Sequence, residues 1–201
     1  MKREKLVQKI YKLREEWKYD FYECVQDIAE HPVVLRMKLY PHHGTTSCYK
    51  HCMNVAYYNY QWCRFFHLDA KSAARGAMLH DLFLYDWHTH AKKTGDKFHG
   101  LTHPKTALKN AEKFFELNDI ERDIIYSHMW PVTFFRFPKT KEGFITTLTD
   151  KYCGACESSK RRKGRKGGKN KNPVFFCMKK SKLFRGEMTI CDKISVSYML
   201  V

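Results

Sequence analysis

Long apolar runs are missing from this chain. No stretch approaches the ~20 consecutive apolar residues of a membrane-spanning helix, so no membrane partner is expected. A secretory leader is not expected either. The first six residues include Lys2, Arg3, Glu4 and Lys5 and run into an amphipathic pattern at Leu6, Ile10, Leu13 and Trp17, which reads as a surface helix. The eight cysteines form no regular framework. Without an export signal they are expected to be reduced thiols in a cytoplasmic protein. Cys153-Gly154-Ala155-Cys156 has zinc-ligand spacing, but no second such pair follows, and Cys177 and Cys191 complete no convincing site. It reads as small-residue packing inside a helix.

Acidic charge is scarce, above all near the C-terminus. From Glu157 to Val201 there are thirteen Lys/Arg and three acids, a net of +10 out of the chain's +16. The first 156 residues therefore carry only +6. The segment Lys160-Arg161-Arg162-Lys163-Gly164-Arg165-Lys166-Gly167-Gly168-Lys169-Asn170-Lys171 is basic and of low complexity, the composition of a poorly structured tail. A solvated tail is the plain reading, with contact to nucleic acid as the alternative. The expected organisation is residues 1–156 as one helical domain and 157–201 as a basic extension.

What is present is a core. The chain is 43% hydrophobic and 15% aromatic, enough for a packed domain of this length. Apolar residues recur at helical spacing through Phe21, Val25 and Ile28. Pro41 to Ser47 has the residues of a loop, and Ser47 is an expected N-cap for a helix from about Cys48 to Phe66. On that helix His51, Val55, Tyr58 and Trp62 share one face. A helix starting near Asp69 is predicted to carry Ala73, Ala77, His80, Asp81 and Leu84 on one face. Gly76 would let a neighbouring backbone approach it closely.

Residues 86–101 read as a loop. His103 then stands at a helix mouth, with Pro104 opening a helix that reaches Leu117. Asn118 and Glu121 match a capping box for the helix that carries His128 and ends before Pro131. A last helix is predicted from Gly143 to Cys156. Its small face of Gly143, Thr146, Thr147, Asp150 and Gly154 leaves room for a metal and a substrate.

The chemistry centres on His80-Asp81. A buried carboxylate costs several kcal/mol or more unless it is paired or binds a metal, and an imidazole stands beside it. His51 lies before the pair; His103, His128 and Asp150 follow at intervals of about a helix and a loop. Each has a plainer reading alone. His51 reads as a hydrogen-bonded core residue, and Asp150 as a partner of Lys151 or Arg122. His99 is an alternative to His103. Neutral imidazoles and carboxylates together suit Fe, Mn, Zn or Co better than Mg.

The ordered set H…HD…H…H…D resembles the HD superfamily of metal-dependent phosphohydrolases, in the branch with two extra histidines. The stretches His80 to His88, Phe98 to Pro104 and His128 to Pro131 are similar to those of uncharacterised bacterial HD hydrolases, over roughly residues 20–156. The resemblance implies an all-α, HD-domain-like helical bundle. It implies that His51, His80, Asp81 and Asp150 hold one metal, and that Asp81 bridges to a second held by His103 and His128. One or two divalent transition metals and a small phosphorylated substrate would follow. Asp81, with Asp86 and His88 close behind it, is the expected catalytic set. His43, Lys105 and Lys151 are the expected substrate contacts, and His42, His43, Thr45 and Ser47 are expected to line the entrance. A Lys soon after the His-Asp pair, carried by some HD phosphohydrolases, is absent. Two other activities compete: a di-iron oxygenase of the same superfamily, and nucleic-acid binding through the basic tail.

Overall fold

The computed structural model describes residues 16–42 except 17, 46–89 and 98–164. Among them the fold is all-α. Helix α1 covers residues 18–29, and α2 is the short Pro32–Leu35, followed by a 3-10 turn at Arg36–Leu39. The longer helices are α3 (Cys48–Phe65), α4 (Ala70–Leu79), α5 (His99–Phe114), α6 (Asp119–Ser127) and α7 (Lys141–Gly164). No described residue belongs to a strand, and one antiparallel bridge joins Pro41 to Ser47. No helix among the described residues is long and apolar enough to cross a membrane.

Helix α3 is the central element. It packs against α4 and α7, while α6 lies against α4, α5 and α7. The apolar face of α1 is buried as its spacing predicts, with Phe21, Val25 and Ile28 fully enclosed. Phe21 meets Tyr57 of α3 edge-on at 5.2 Å between ring centroids.

The helix starts follow the cap chemistry. The Ser47 hydroxyl accepts from Lys50 N, and the Asp69 carboxylate accepts from Ser72 N at 2.9 Å. Asn118 and Glu121 form the reciprocal capping box. Glu121 is also buried against Arg75 Nε at 2.9 Å, so the same carboxylate ties α6 to α4. Gly76 marks the close approach of those helices: a Cβ there would sit 3.0 Å from Ile124 Cβ and 3.1 Å from Glu121 Cα.

Helices α4, α5 and α7 end elsewhere than expected. Helix α4 stops at Leu79, so Asp81 lies in the turn that follows it rather than on a continuing helical face. There Leu82 N donates to Leu79 O, Phe83 N donates to Asp81 O, and Leu84 takes a left-handed φ of 60°. Asn110 of α5 stabilises this turn by donating to Leu82 O at 2.7 Å. Helix α5 begins a turn earlier than Pro104, because Phe98 O accepts from both Leu101 N and Thr102 N. His103 therefore sits in the second turn, and the helix ends at Phe114 rather than Leu117.

Helix α7 runs past Cys156 to Gly164. Its small face is close-packed rather than open. Thr146, Thr147 and Thr149 each donate to their own helix's carbonyls, and Asn59 of α3 bonds both Thr146 and Thr149. Gly143 faces Asp123 Oδ2, which a Cβ would meet at 2.6 Å. Of the Cys153/Cys156 pair, Cys153 is buried and Cys156 half-buried. The stretch 165–201, and with it most of the basic extension, lies outside the described residues.

Candidate metal centre

Five chain segments deliver the six expected ligands to one place. His51 comes from α3, His80 and Asp81 from the end of α4, His103 from α5, His128 from the end of α6 and Asp150 from α7. His51, His80 and His128 are fully enclosed, and the other three are nearly so. Asp81 lies between them. Its Oδ2 is 3.4 Å from His80 Nε2, and its Oδ1 is 3.2 Å from His103 Nε2 and 3.6 Å from His128 Nε2. Asp150 Oδ1 is 3.0 Å from His51 Nε2 and 3.7 Å from His80 Nε2. Among the six, two overlapping groups result, His51-His80-Asp81 and Asp81-His103-His128, and a third, His42-Cys48-Asp81, shares the same aspartate; each has its ligand atoms within 4.8 Å of one another.

The imidazoles are aimed by their outer nitrogens. His80 Nδ1 lies 2.7 Å from Ala77 O, and His128 Nδ1 lies 2.9 Å from Ile125 O. A carbonyl can only accept, so each Nδ1 carries the proton. In the neutral ring each Nε2 then offers a lone pair to the centre. Both carbonyls belong to the last turn of the helix that the histidine terminates, where backbone acceptors lack helical partners. His51 is aimed by a side chain: its Nδ1 meets Glu157 Oε2 at 2.9 Å, and Asn54 donates to Glu157 Oε1 at 3.0 Å.

The donor set fits a cation. His80 Nε2 and Asp81 Oδ1 are buried without a hydrogen-bond partner, a state that costs ~1–3 kcal/mol per group if nothing else meets them. His103 Nε2 and His128 Nε2 face each other at 2.9 Å, so at most one of them can hold a proton there. Four nitrogens and two carboxylates converging in this way match the preferences of Fe, Mn, Zn or Co.

The charges of the metal-free site point the same way. Burial opposes a charge on Asp81, but His80, His42 and His103 outweigh it and hold the carboxyl well below its ordinary range. Asp150 is likewise penalised by burial, yet the hydrogen bond from His51 and the nearness of His80 pull it well down. Burial would lower His51, whereas Asp150 and Glu157 raise it to about 10. Burial, reinforced by the charges of His80 and His103, pushes His128 well below the ordinary histidine value. The site therefore keeps its carboxylates ionised and demands positive charge beside them, which protons supply when no metal does.

The remaining expected site residues divide. Lys151 is at the centre: its Nζ donates to His128 O at 2.8 Å and lies 3.2 Å from Asp150 Oδ2. The pairing of Asp150 with Lys151 thus exists alongside its histidine contacts, while Arg122 pairs with Glu112 and Asp119 instead. Asp86 and His88 do not join the six. They pair with each other at 3.2 Å, with side chains about a third and a half exposed, because the left-handed turn at Leu84 ends the buried run before them. Lys105 is exposed on α5. His43 lies outside the described residues.

No family model, curated protein or solved structure matches this chain. The convergence of the six side chains accordingly stands on its own geometry.

Glu157 belongs to the site, although in composition it stands at the head of the basic tail. The available signal was its spacing, since it follows Asp150 by two helical turns and so shares its face. His42 belongs there too, with Nε2 3.1 Å from Asp81 Oδ2. It sits in a loop with no periodicity to betray its direction. Cys48 donates its thiol to Asp81 O at 3.3 Å, and burial keeps that thiol protonated by raising its pKa.

Proposed function

We propose that this protein is a metal-dependent phosphohydrolase of the HD type, acting in the cytoplasm on a phosphoester of a nucleotide or another small phosphorylated metabolite. The observation that carries the reading is the position of Asp81, which turns one carboxylate oxygen toward His80 and the other toward His103 and His128. A carboxylate so placed suits a bridge between two cations.

His51, His80, Asp81 and Asp150 would hold one ion, and Asp81, His103 and His128 the other. When bound, such a pair supplies water of near-neutral pKa and neutralises charge on a phosphoryl oxygen. The chain's own residues do the rest. Glu157 fixes the direction of His51, and the carbonyls of Ala77 and Ile125 fix His80 and His128. The Lys151 ammonium has three donors and uses two, on His128 O and Asp150. Its side chain is 37% exposed, so a third N–H is available to a phosphate oxygen.

The test is elemental analysis of protein purified without added metal, then hydrolysis of an aryl phosphate and a nucleotide panel under strict anaerobiosis. Bound transition metal and oxygen-independent phosphate release are expected, with both lost in Asp81→Ala. Full activity in that variant, or turnover only with oxygen uptake, overturns the proposal.

A further inference from the structure

His42 lies outside the six residues of the metal centre, yet it touches the one that joins the two halves. We propose that His42 is a positioning residue: its imidazole holds Asp81 Oδ2, so that the carboxylate keeps one oxygen facing each histidine group. This inference rests on the metal-centre reading above.

Asp81 needs such a hold. It lies past the end of α4, in a turn whose backbone bonds are local. The last torsion of an aspartate side chain is broad, so the turn alone does not fix the plane of the carboxylate. His42 fixes it by holding one oxygen. Its Nε2 is 3.1 Å from Oδ2, whereas Oδ1 lies on the side of His103 and His128. A histidine N–H can donate to Oδ2 and leave that oxygen a second lone pair for a cation.

The loop that carries His42 is itself anchored. Pro41 and Ser47 form an antiparallel bridge, His42 N donates to Thr46 O at 2.9 Å, and Cys48 N donates to Tyr40 O at 2.9 Å. The His42 ring packs on His51 with centroids 4.4 Å apart and lies 6.2 Å from Phe83. It is 8% exposed. One residue after the bridge, Cys48 donates its thiol to the backbone oxygen of Asp81. The loop and the start of α3 thus grip both the main chain and the side chain of the same aspartate. Partners of this kind, which act on a ligand rather than on the metal, typically set metal affinity by ~10–100-fold.

The experiment compares the full-length wild type with His42→Phe, which keeps a ring without the donor, and His42→Gln, which keeps an N–H donor. Co(II) affinity is measured by competition with a chromophoric chelator, stoichiometry by elemental analysis, and coordination by the visible absorption of bound Co(II). Expected is a ~10–100-fold loss of affinity in His42→Phe, with affinity and the wild-type spectrum recovered in His42→Gln. Should His42→Phe fail to fold by circular dichroism, His42→Ala replaces it in the same comparison. Unchanged affinity in the donor-less variant overturns the role of His42 alone, as does a His42→Gln protein no better than it. A wild type that takes up no Co(II) overturns the metal-centre reading and this inference with it.

Discussion

His51 Nδ1 meets Glu157 Oε2 at 2.9 Å across 106 residues of sequence. The opposite nitrogen of the same ring is 3.0 Å from Asp150 Oδ1. One imidazole is thus held between two carboxylates, both from α7 and two helical turns apart. The inner carboxylate belongs to the candidate ligand set, and the outer one determines where the ring points.

Removing the outer carboxylate should therefore weaken metal binding without touching a ligand. Glu157→Ala is expected to lower affinity for Co(II) or Zn(II) by ~10–100-fold, read by chelator competition. Affinity equal to wild type would show that ring packing alone orients His51.

The pH dependence of the metal-free protein follows from the same three groups. His51 is raised from 6.5 to about 10 on folding. Its contribution to stability is fully present below 6.5 and is lost as pH climbs through about 10. Asp150 and Glu157 are depressed below 3.8 and 4.5, so their contribution is present above those values and lost as pH falls through the folded values. Chelated protein should therefore lose melting temperature from neutrality toward pH 10. Saturating metal should reduce that alkaline loss, since a metal-bound His51 no longer needs its proton. Thermal melts across pH 5–10 with and without chelator check this. A melting temperature of chelated protein that rises toward pH 10 would contradict it.

Gly76→Ala sets two effects against each other. Helix propensity favours alanine by ~1 kcal/mol. The new Cβ, however, meets Ile124 Cβ and the Glu121 main chain at 3.0–3.1 Å, and overpacking of this kind costs ~1–3 kcal/mol. A net loss of ~1 kcal/mol is expected in denaturant unfolding, because a backbone atom cannot step aside as a side-chain tip can. A gain in stability would mean that α4 and α6 separate freely.

Asp86→Ala and His88→Ala should leave metal content at the wild-type value, because their pair makes no hydrogen bond or ion pair to the six. Elemental analysis of both variants decides it. Loss of metal in either one would place the residue in the centre after all.

Much of this architecture was legible residue by residue. The caps at Ser47, Asp69 and Asn118, the buried face of Phe21, Val25 and Ile28, and the close contact at Gly76 all follow from short-range patterns. The grouping of His51, His80, Asp81, His103, His128 and Asp150 was legible from residue type and order. The ends of α4, α5 and α7 were not. The end of α4 and the start of α5 depend on bonds that composition does not reveal, Asn110 on Leu82 O and the two amides on Phe98 O.

The sequence by itself determined that the chain would fold as helices and that its inward-facing polar side chains would need one another. Periodicity and residue chemistry are local properties, and they carry that much. Tertiary structure alone decided that Glu157 supports His51, that His42 reaches Asp81, and that Asp86 and His88 pair with each other away from the six. Those outcomes depend on distances between segments far apart in the chain, and only packing of the helices sets them.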